Sequence, residues 1–211
     1  MTGAVSAVPT DPAATPPTSA RLVNLPNGLT VLRLAAVPVF AVLLFGADGV
    51  GHVLDSTARW WAALCFALAI ITDRYDGLIA RRTGQVTEFG KLADPIADKA
   101  LTGTALIGLS VLGVLPWWVT VVVVVREVGV TVLRFWVIRH GVIAASRGGK
   151  VKTLLQAVAI GLFVLAEWQW LRDVAWVVMI AAIIVALLTG MDYVGRAVRL
   201  RRAAQAARVA V

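Results

Sequence analysis

Long apolar stretches follow one another along this chain, separated by short polar joins. Each stretch is long enough to cross the hydrocarbon core of a bilayer, roughly 30 Å, as a helix. The stretches are centred near residues 38, 68, 106, 127, 161 and 184. The pattern therefore predicts an all-α integral membrane protein, folded as a bundle of six transmembrane helices in one domain.

Composition supports this prediction and indicates where the membrane domain begins and ends. Of 211 residues, 59% are hydrophobic and 15% are charged, and the mean hydropathy is +0.83, well above that of an ordinary soluble domain. Residues 1–20 are mostly Pro, Ala, Thr and Ser and are predicted to be a disordered tail. The membrane domain is predicted over residues 21–195, followed by a basic tail over 196–211.

Basic residues are distributed unevenly among the joins. The joins at 47–58 and 113–117 contain no Lys or Arg, and the join at 169–173 contains one Arg. The joins at 80–93 and 139–152 together contain seven. The positive-inside rule therefore predicts that the second group, and both termini, lie on the cytoplasmic side of the cell membrane.

Charge and aromatic residues agree with that orientation. The formal net charge is +8, which suits anionic membrane lipids and phosphorylated substrates, and no soluble basic domain is present to hold nucleic acid. Tryptophans are expected at the exterior interface, where aromatic side chains form a belt. They are Trp60, Trp61, Trp117, Trp118, Trp168 and Trp170.

Four carboxylates interrupt the apolar pattern, and they are Asp73, Asp76, Asp94 and Asp98. A charge near hydrocarbon is unfavourable unless it faces water, a partner or a metal ion. Spacings of three and four residues place each pair on one helical face, and the helix lengths place both pairs at one depth on the cytoplasmic side. Converging carboxylates repel one another, so the arrangement predicts a bound divalent cation, Mg²⁺ or Mn²⁺.

Neighbouring residues suit a phosphate substrate at this site. Gly77 permits a diphosphate to approach the backbone, and Arg81 lies one helical turn further on, where it can pair with the phosphates. The alternative is that the acids only pair with bases inside the membrane, for which Arg74, Arg126 and Arg134 are the candidates.

The residues from Asp73 to Asp98 resemble the signature of the CDP-alcohol phosphotransferase family, D-x-x-D-G-x-x-A-R-x8-G-x3-D-x3-D, at every fixed position. The resemblance implies six membrane helices, a site open to the cytoplasm and a homodimer. It also implies that the four acids hold two divalent cations, which bind the diphosphate of a CDP-linked substrate. Asp98 would be both a metal ligand and the general base.

Flanking segments resemble one branch of that family. They are residues 24–33, 126–127 and 146–153. The resemblance implies transfer of a phosphatidyl group from CDP-diacylglycerol to glycerol 3-phosphate, with release of CMP, in phospholipid biosynthesis. It further suggests Asn27, Thr30 and Thr87 as neighbours of the CDP moiety, although Asn27 could simply cap a helix.

The acceptor carries its own phosphate, which requires cations beyond the metal site. Candidates are Arg126, Arg134, Arg147, Lys150 and Lys152. An Arg inside an apolar helix usually faces a polar cavity. As alternatives, Arg126 could pair locally with an acid, and the last three residues could be anchors at the membrane surface.

Other functions remain open at this point. Within the family, the acceptor could be phosphatidylglycerol, as in a cardiolipin synthase, or inositol phosphate. Outside the family, a polyprenyl-diphosphate transferase or a cation transporter also uses intramembrane acids. The close spacing of the two acidic pairs and the fixed glycine and arginine positions favour the CDP-alcohol phosphotransferase family over both.

Overall fold

A computed structural model of the chain describes residues 25–46, 56–83, 88–137 and 147–209, with some side chains near the ends of these segments left out. The described residues form helices joined by short turns and contain no strand. In chain order the helices are α1 (Leu25–Phe45), α2 (Ser56–Thr83), α3 (Glu88–Val111), α4 (Trp117–Val137), α5 (Arg147–Leu165) and α6 (Gln169–Val209). The all-α prediction is confirmed for this part of the chain, whereas the predicted tail at 1–20 lies outside it.

Several helices extend further than the apolar pattern indicated. Most of the predicted join at 80–93 is helical, because α2 continues to Thr83 and α3 begins at Glu88. The join predicted at 169–173 is wrong, since α6 begins at Gln169 and the turn before it occupies residues 166–168. Hydropathy marks where the bilayer ends, whereas Arg, Lys, Gln and Glu are good helix formers and continue a helix beyond that point.

The helices pack through buried apolar side chains. α1 packs against α2 and α3, while α6 packs along α5 and also contacts α4. Phe40 of α1 and Phe66 of α2 have ring centroids 5.5 Å apart, and Phe163 of α5 meets Trp176 of α6 edge to face at 5.4 Å. These aromatic pairs belong to one continuous core.

Glycines permit close contact at two places. A Cβ atom on Gly108 of α3 would lie 2.5 Å from Leu44 Cδ2 of α1, so the absence of a side chain lets the two helices approach closely. Gly113 has a φ of 70°, in the left-handed region that favours glycine, and it turns the chain from α3 into α4.

Tryptophans gather at one side of the bundle. The six interfacial tryptophans predicted above are all exposed and lie at or beside the first residues of α2, α4 and α6. Arg59 Nη1 at the start of α2 donates to the Ala166 carbonyl at 3.4 Å, and the Trp118 and Trp176 rings stack at 6.4 Å. We call this side, with the buried residues beneath it, the tryptophan half.

Three of the described helices are long and apolar enough to cross a membrane by length and composition. The segments are Gly28–Phe45 in α1, Gly148–Leu165 in α5 and Gln169–Arg201 in α6. α6 continues through most of the predicted basic tail to Val209. Its Arg201 guanidinium lies 4.6 Å from the centre of the Trp136 ring, which ties this extension to the end of α4.

Candidate active site

Two acids of the signature have described side chains, Asp73 on α2 and Asp98 on α3. Both are partly buried, and they lie close enough for their charges to interact. The structure thus brings together one acid from each predicted pair. The other predicted metal and diphosphate residues, Asp76, Gly77, Arg81 and Asp94, lie outside the described side chains.

Asp73 has a partner that the sequence did not indicate. Arg33 Nη1 of α1 lies 2.5 Å from Asp73 Oδ1, and only 1% of the Arg33 side chain is exposed. The predicted CDP neighbour Thr30 lies one helical turn before Arg33 and is also buried, whereas Asn27 and Thr87 are outside the described side chains. Pairing of an intramembrane acid with a base therefore occurs at Asp73, and Arg33 is not among the bases predicted for this role.

Glu127 of α4 forms ion pairs with basic side chains from three helices. Lys152 Nζ of α5 donates to Glu127 Oε1, Arg126 Nη1 donates to the same oxygen at 3.2 Å, and Lys99 Nζ of α3 lies 3.8 Å from Oε2. Lys99 also donates to Thr131 Oγ1 at 3.0 Å. We call Lys99, Arg126, Glu127 and Lys152 the Glu127 cluster.

The Glu127 cluster adjoins the signature acids. Asp98 interacts electrostatically with Glu127, Lys99 and Lys152 as well as with Asp73. Side chains from α2, α3, α4 and α5 therefore contribute to one charged region. We call this region, together with Arg33, the charged half of the bundle.

The predicted acceptor residues have different surroundings. Arg126 pairs with the neighbouring Glu127, donates through Nε to the Ala186 carbonyl at 3.0 Å and through Nη2 to Thr189 Oγ1 at 2.8 Å. Local pairing with an acid, the alternative for Arg126, is thus present, and the guanidinium is also fixed to α6. Arg134 and Arg147 are among the side chains outside the description.

Lys150 and Lys152 lie two residues apart on α5 but differ in exposure. Lys150 is exposed, as expected of an anchor at the membrane surface. Lys152 is buried and paired with Glu127, so the anchor alternative is wrong for it. Because successive helical positions point in different directions, a spacing of two residues separates an inward lysine from an outward one.

Sequence reasoning missed Arg33, Lys99 and Glu127. Glu127 carried a detectable signal, because a carboxylate near the middle of the apolar α4 segment requires a partner for the same reason as the four aspartates. Arg33 lay within a segment already singled out by resemblance. Lys99, next to Asp98, carried no comparable signal, since a lysine beside an acid is common at a helix end.

The donor chemistry fits a divalent cation. Asp73 and Asp98 offer hard carboxylate oxygens close together, as Mg²⁺ and Mn²⁺ prefer. Among the described side chains, no group of three or more His, Cys, Asp or Glu residues is placed to hold a metal ion. That set does not include Asp76 and Asp94.

Comparison with known proteins decides the class of enzyme. A sequence model of the CDP-alcohol phosphatidyltransferase family matches residues 23–188. The chain belongs to this family. It is therefore a membrane-embedded enzyme of the phosphatidyltransferase type, and the transporter and prenyl-transfer alternatives are excluded.

Curated relatives of the chain carry related names. A protein of Mycobacterium tuberculosis named probable phosphatidylglycerophosphate synthase is 61% identical over 180 residues, 85% of this chain and 84% of that protein. Two proteins named CDP-diacylglycerol–glycerol-3-phosphate 3-phosphatidyltransferase are also similar. The one from Bacillus subtilis is 38% identical over 67% of this chain and 77% of its own length. The one from Rickettsia typhi is 37% identical over 81% of this chain and 94% of its own length.

Proposed function

We propose that the chain transfers the phosphatidyl group of CDP-diacylglycerol to sn-glycerol 3-phosphate, giving phosphatidylglycerophosphate and CMP. The names of its relatives support this acceptor. The observation that carries the proposal is the Glu127 cluster beside Asp98. Three cations and one carboxylate leave two formal positive charges, which match a phosphate monoester dianion.

Asp98 is the proposed general base. It would accept the proton of the glycerol 3-phosphate 1-hydroxyl as that oxygen bonds to the phosphorus of the phosphatidyl group. The bond between this phosphorus and the CMP oxygen breaks, and CMP leaves with the electron pair. The partly buried position of Asp98, next to the cluster that would receive the acceptor's phosphate, supports this role.

Two divalent cations, Mg²⁺ or Mn²⁺, are part of the proposal. Their ligands would be Asp73, Asp76, Asp94 and Asp98. When bound, such cations neutralise the diphosphate and the charge that develops on the leaving group. Arg33 would fix the orientation of the Asp73 carboxylate from the side of α1.

The two substrates would contact different sets of residues. For CDP-diacylglycerol the proposed set is Asn27, Thr30, Gly77, Arg81 and Thr87. For the acceptor's phosphate it is Arg126, Arg134, Arg147, Lys150 and Lys152. Burial of Lys152 beside the signature acids supports its place in the second set, whereas the exposure of Lys150 suits a more peripheral contact.

We further propose six membrane spans in the cell membrane, with both termini and the active site on the cytoplasmic side. The separation of the tryptophan half from the charged half supports this orientation. Residues 21–195 would form the membrane domain of a homodimer, followed by a basic end at 196–211 that lies against anionic lipid.

The test is CMP release by the detergent-purified protein supplied with CDP-diacylglycerol and Mg²⁺. Glycerol 3-phosphate, inositol phosphate and phosphatidylglycerol are offered in turn, with the Asp98→Asn variant as the blank. We expect turnover with glycerol 3-phosphate alone, its loss on addition of EDTA and its recovery with excess Mg²⁺. Turnover with a different acceptor only would overturn the acceptor assignment, and turnover that survives EDTA would overturn the metal assignment.

A further inference from the structure

Glu127 is the only carboxylate in the Glu127 cluster, and it lies outside the acidic signature. It is partly buried near the middle of α4, and it pairs with one cation from each of α3, α4 and α5. A carboxylate at this depth is unfavourable unless its neighbours compensate it. Three cations are more than neutralisation of Glu127 alone requires, and two of them, Lys99 and Lys152, also interact with Asp98.

The cations depend on Glu127 to different degrees. Arg126 has two further acceptors on α6, and Lys99 has the Thr131 hydroxyl. For Lys152, Glu127 is the described hydrogen-bond acceptor, and 5% of the lysine side chain is exposed. A lysine has a flexible stem of four carbons, so without a fixed acceptor its ammonium group would not keep one position. Lys152 is therefore the cation whose position Glu127 controls most.

We propose that Glu127 is a positioning residue, which holds Lys152 where the acceptor's phosphate binds beside Asp98. The proposal rests on the proposed function, because it takes the acceptor to carry a phosphate that enters next to the Glu127 cluster. Glu127 itself does not contact the substrate. It acts through the lysine, and Lys99 of α3 and the adjacent Arg126 of α4 anchor its carboxylate.

A purely electrostatic role would have the opposite effect from positioning. Replacing Glu127 by Gln raises the formal charge of the cluster by one unit, which alone would attract a phosphate dianion more strongly and lower the KM for glycerol 3-phosphate. If positioning dominates, loss of the fixed acceptor raises that KM. The sign of the change therefore separates the two roles.

The experiment compares kcat and both KM values for the full-length wild-type chain, Glu127→Gln and Glu127→Asp. We expect Glu127→Gln to raise the KM for glycerol 3-phosphate about tenfold or more, the size of effect typical of losing a charged hydrogen bond. The KM for CDP-diacylglycerol should change less than about twofold, and Glu127→Asp, which keeps the charge, should recover part of the loss. An unchanged or lower KM for glycerol 3-phosphate would overturn the proposal, as would equal changes in both KM values.

Asp192→Asn is the matched control. Asp192 also pairs with an arginine, Arg196 Nη2 at 2.9 Å, but both side chains are about half exposed on α6. Removal of this carboxylate should leave both KM values unchanged. A rise like that of Glu127→Gln would mean that any lost ion pair has this effect.

A double variant tests whether Glu127 acts through Lys152. It also keeps the proposal testable if Glu127→Gln alone does not fold. Glu127→Gln combined with Lys152→Met removes both charges of the pair, so no lysine is left buried without its counter-ion. We expect the same KM for glycerol 3-phosphate as for Lys152→Met alone. Independent, additive effects of the two substitutions would show that Glu127 does not act through Lys152.

Failure of the positioning role is distinguishable from failure of the proposed function. If the wild-type chain turns over inositol phosphate instead, the acceptor assignment fails, and the same comparison with that phosphate decides the role of Glu127. If only phosphatidylglycerol is turned over, no phosphate monoester enters the site and both proposals fail. If glycerol 3-phosphate is used and its KM is the same in all variants, only the positioning role fails.

Discussion

The two halves of the bundle are built from the same helices but are stabilised differently. In the tryptophan half, aromatic and aliphatic side chains are buried against each other, and buried hydroxyls satisfy one another, as Ser110 and Thr120 do at 2.7 Å. In the charged half, Arg33 and Lys152 are buried with the carboxylates of Asp73 and Glu127. Buried ion pairs contribute little net stability compared with apolar packing of the same volume. We therefore expect packing in the tryptophan half to stabilise the fold, whereas the residues of the charged half serve substrate binding and catalysis.

The largest expected effect is loss of the Asp98 carboxylate in the charged half. Asp98→Asn should lower kcat about a thousandfold, equivalent to about 4 kcal/mol of activation free energy, since an amide cannot accept the proton. Affinity for CDP-diacylglycerol should fall much less than kcat, because the amide keeps one oxygen and the three other proposed metal ligands remain. Thermal stability should stay near that of the wild type, because the amide has the same shape. Steady-state CMP release, lipid binding and thermal unfolding measure the three quantities, with Asp192→Asn as the control. Substantial remaining turnover would remove Asp98 as the base.

A core substitution in the tryptophan half should affect stability and leave catalysis unchanged. Phe163 is buried and meets Trp176 edge to face, so Phe163→Ala removes a contact between α5 and α6 and should lower the free energy of unfolding by about 3 kcal/mol. Both KM values of the folded fraction should be unchanged. Unfolding in detergent is compared with that of Leu188→Ala, which removes an exposed side chain from α6. Equal destabilisation by both variants would contradict the assignment of the core.

A smaller effect is expected from the buried hydroxyl pair. Thr120 Oγ1 donates to the Leu106 carbonyl at 3.1 Å and hydrogen-bonds Ser110, so Thr120→Val leaves Ser110 without its hydroxyl partner. We expect a loss of about 1 to 2 kcal/mol in stability and no change in turnover. Thr153→Val, at an exposed hydroxyl that donates to the Gly149 carbonyl, is the control and should have a smaller effect. A change in kcat for Thr120→Val would contradict the assignment of stability to the tryptophan half and catalysis to the charged half.

The sequence was sufficient to predict the order of the six described helices. Apolar stretches of bilayer length identified all six in the described part of the chain, and aromatic residues identified which ends lie together. Helix ends were less predictable, as at Gln169, because polar residues that leave the hydrocarbon can still be helical. Hydropathy alone does not distinguish a polar residue that continues a helix from one that lies in a turn.

Within the candidate site, the approach of two signature acids was predictable from the sequence. Helical spacing together with the expected length of each span was enough to anticipate that Asp73 and Asp98 approach each other. The partners of these acids were not predictable, because Arg33 is 40 residues from Asp73 and Lys152 is 25 residues from Glu127. Such pairs depend on how helices pack, and one sequence offers many bases for each acid.

Pairing of Glu127 with Lys152 has a consequence for how the chain enters the membrane. Glu127 lies near the middle of α4, and Lys152 lies in the second turn of α5. An ionised side chain at the centre of an isolated helix costs about 3 kcal/mol on insertion scales. Because Lys152 Nζ donates to Glu127 Oε1, the two charges can compensate each other if the helices meet before either enters lipid. We therefore expect α4 and α5 to leave the translocation machinery together, as one insertion unit, rather than one after the other.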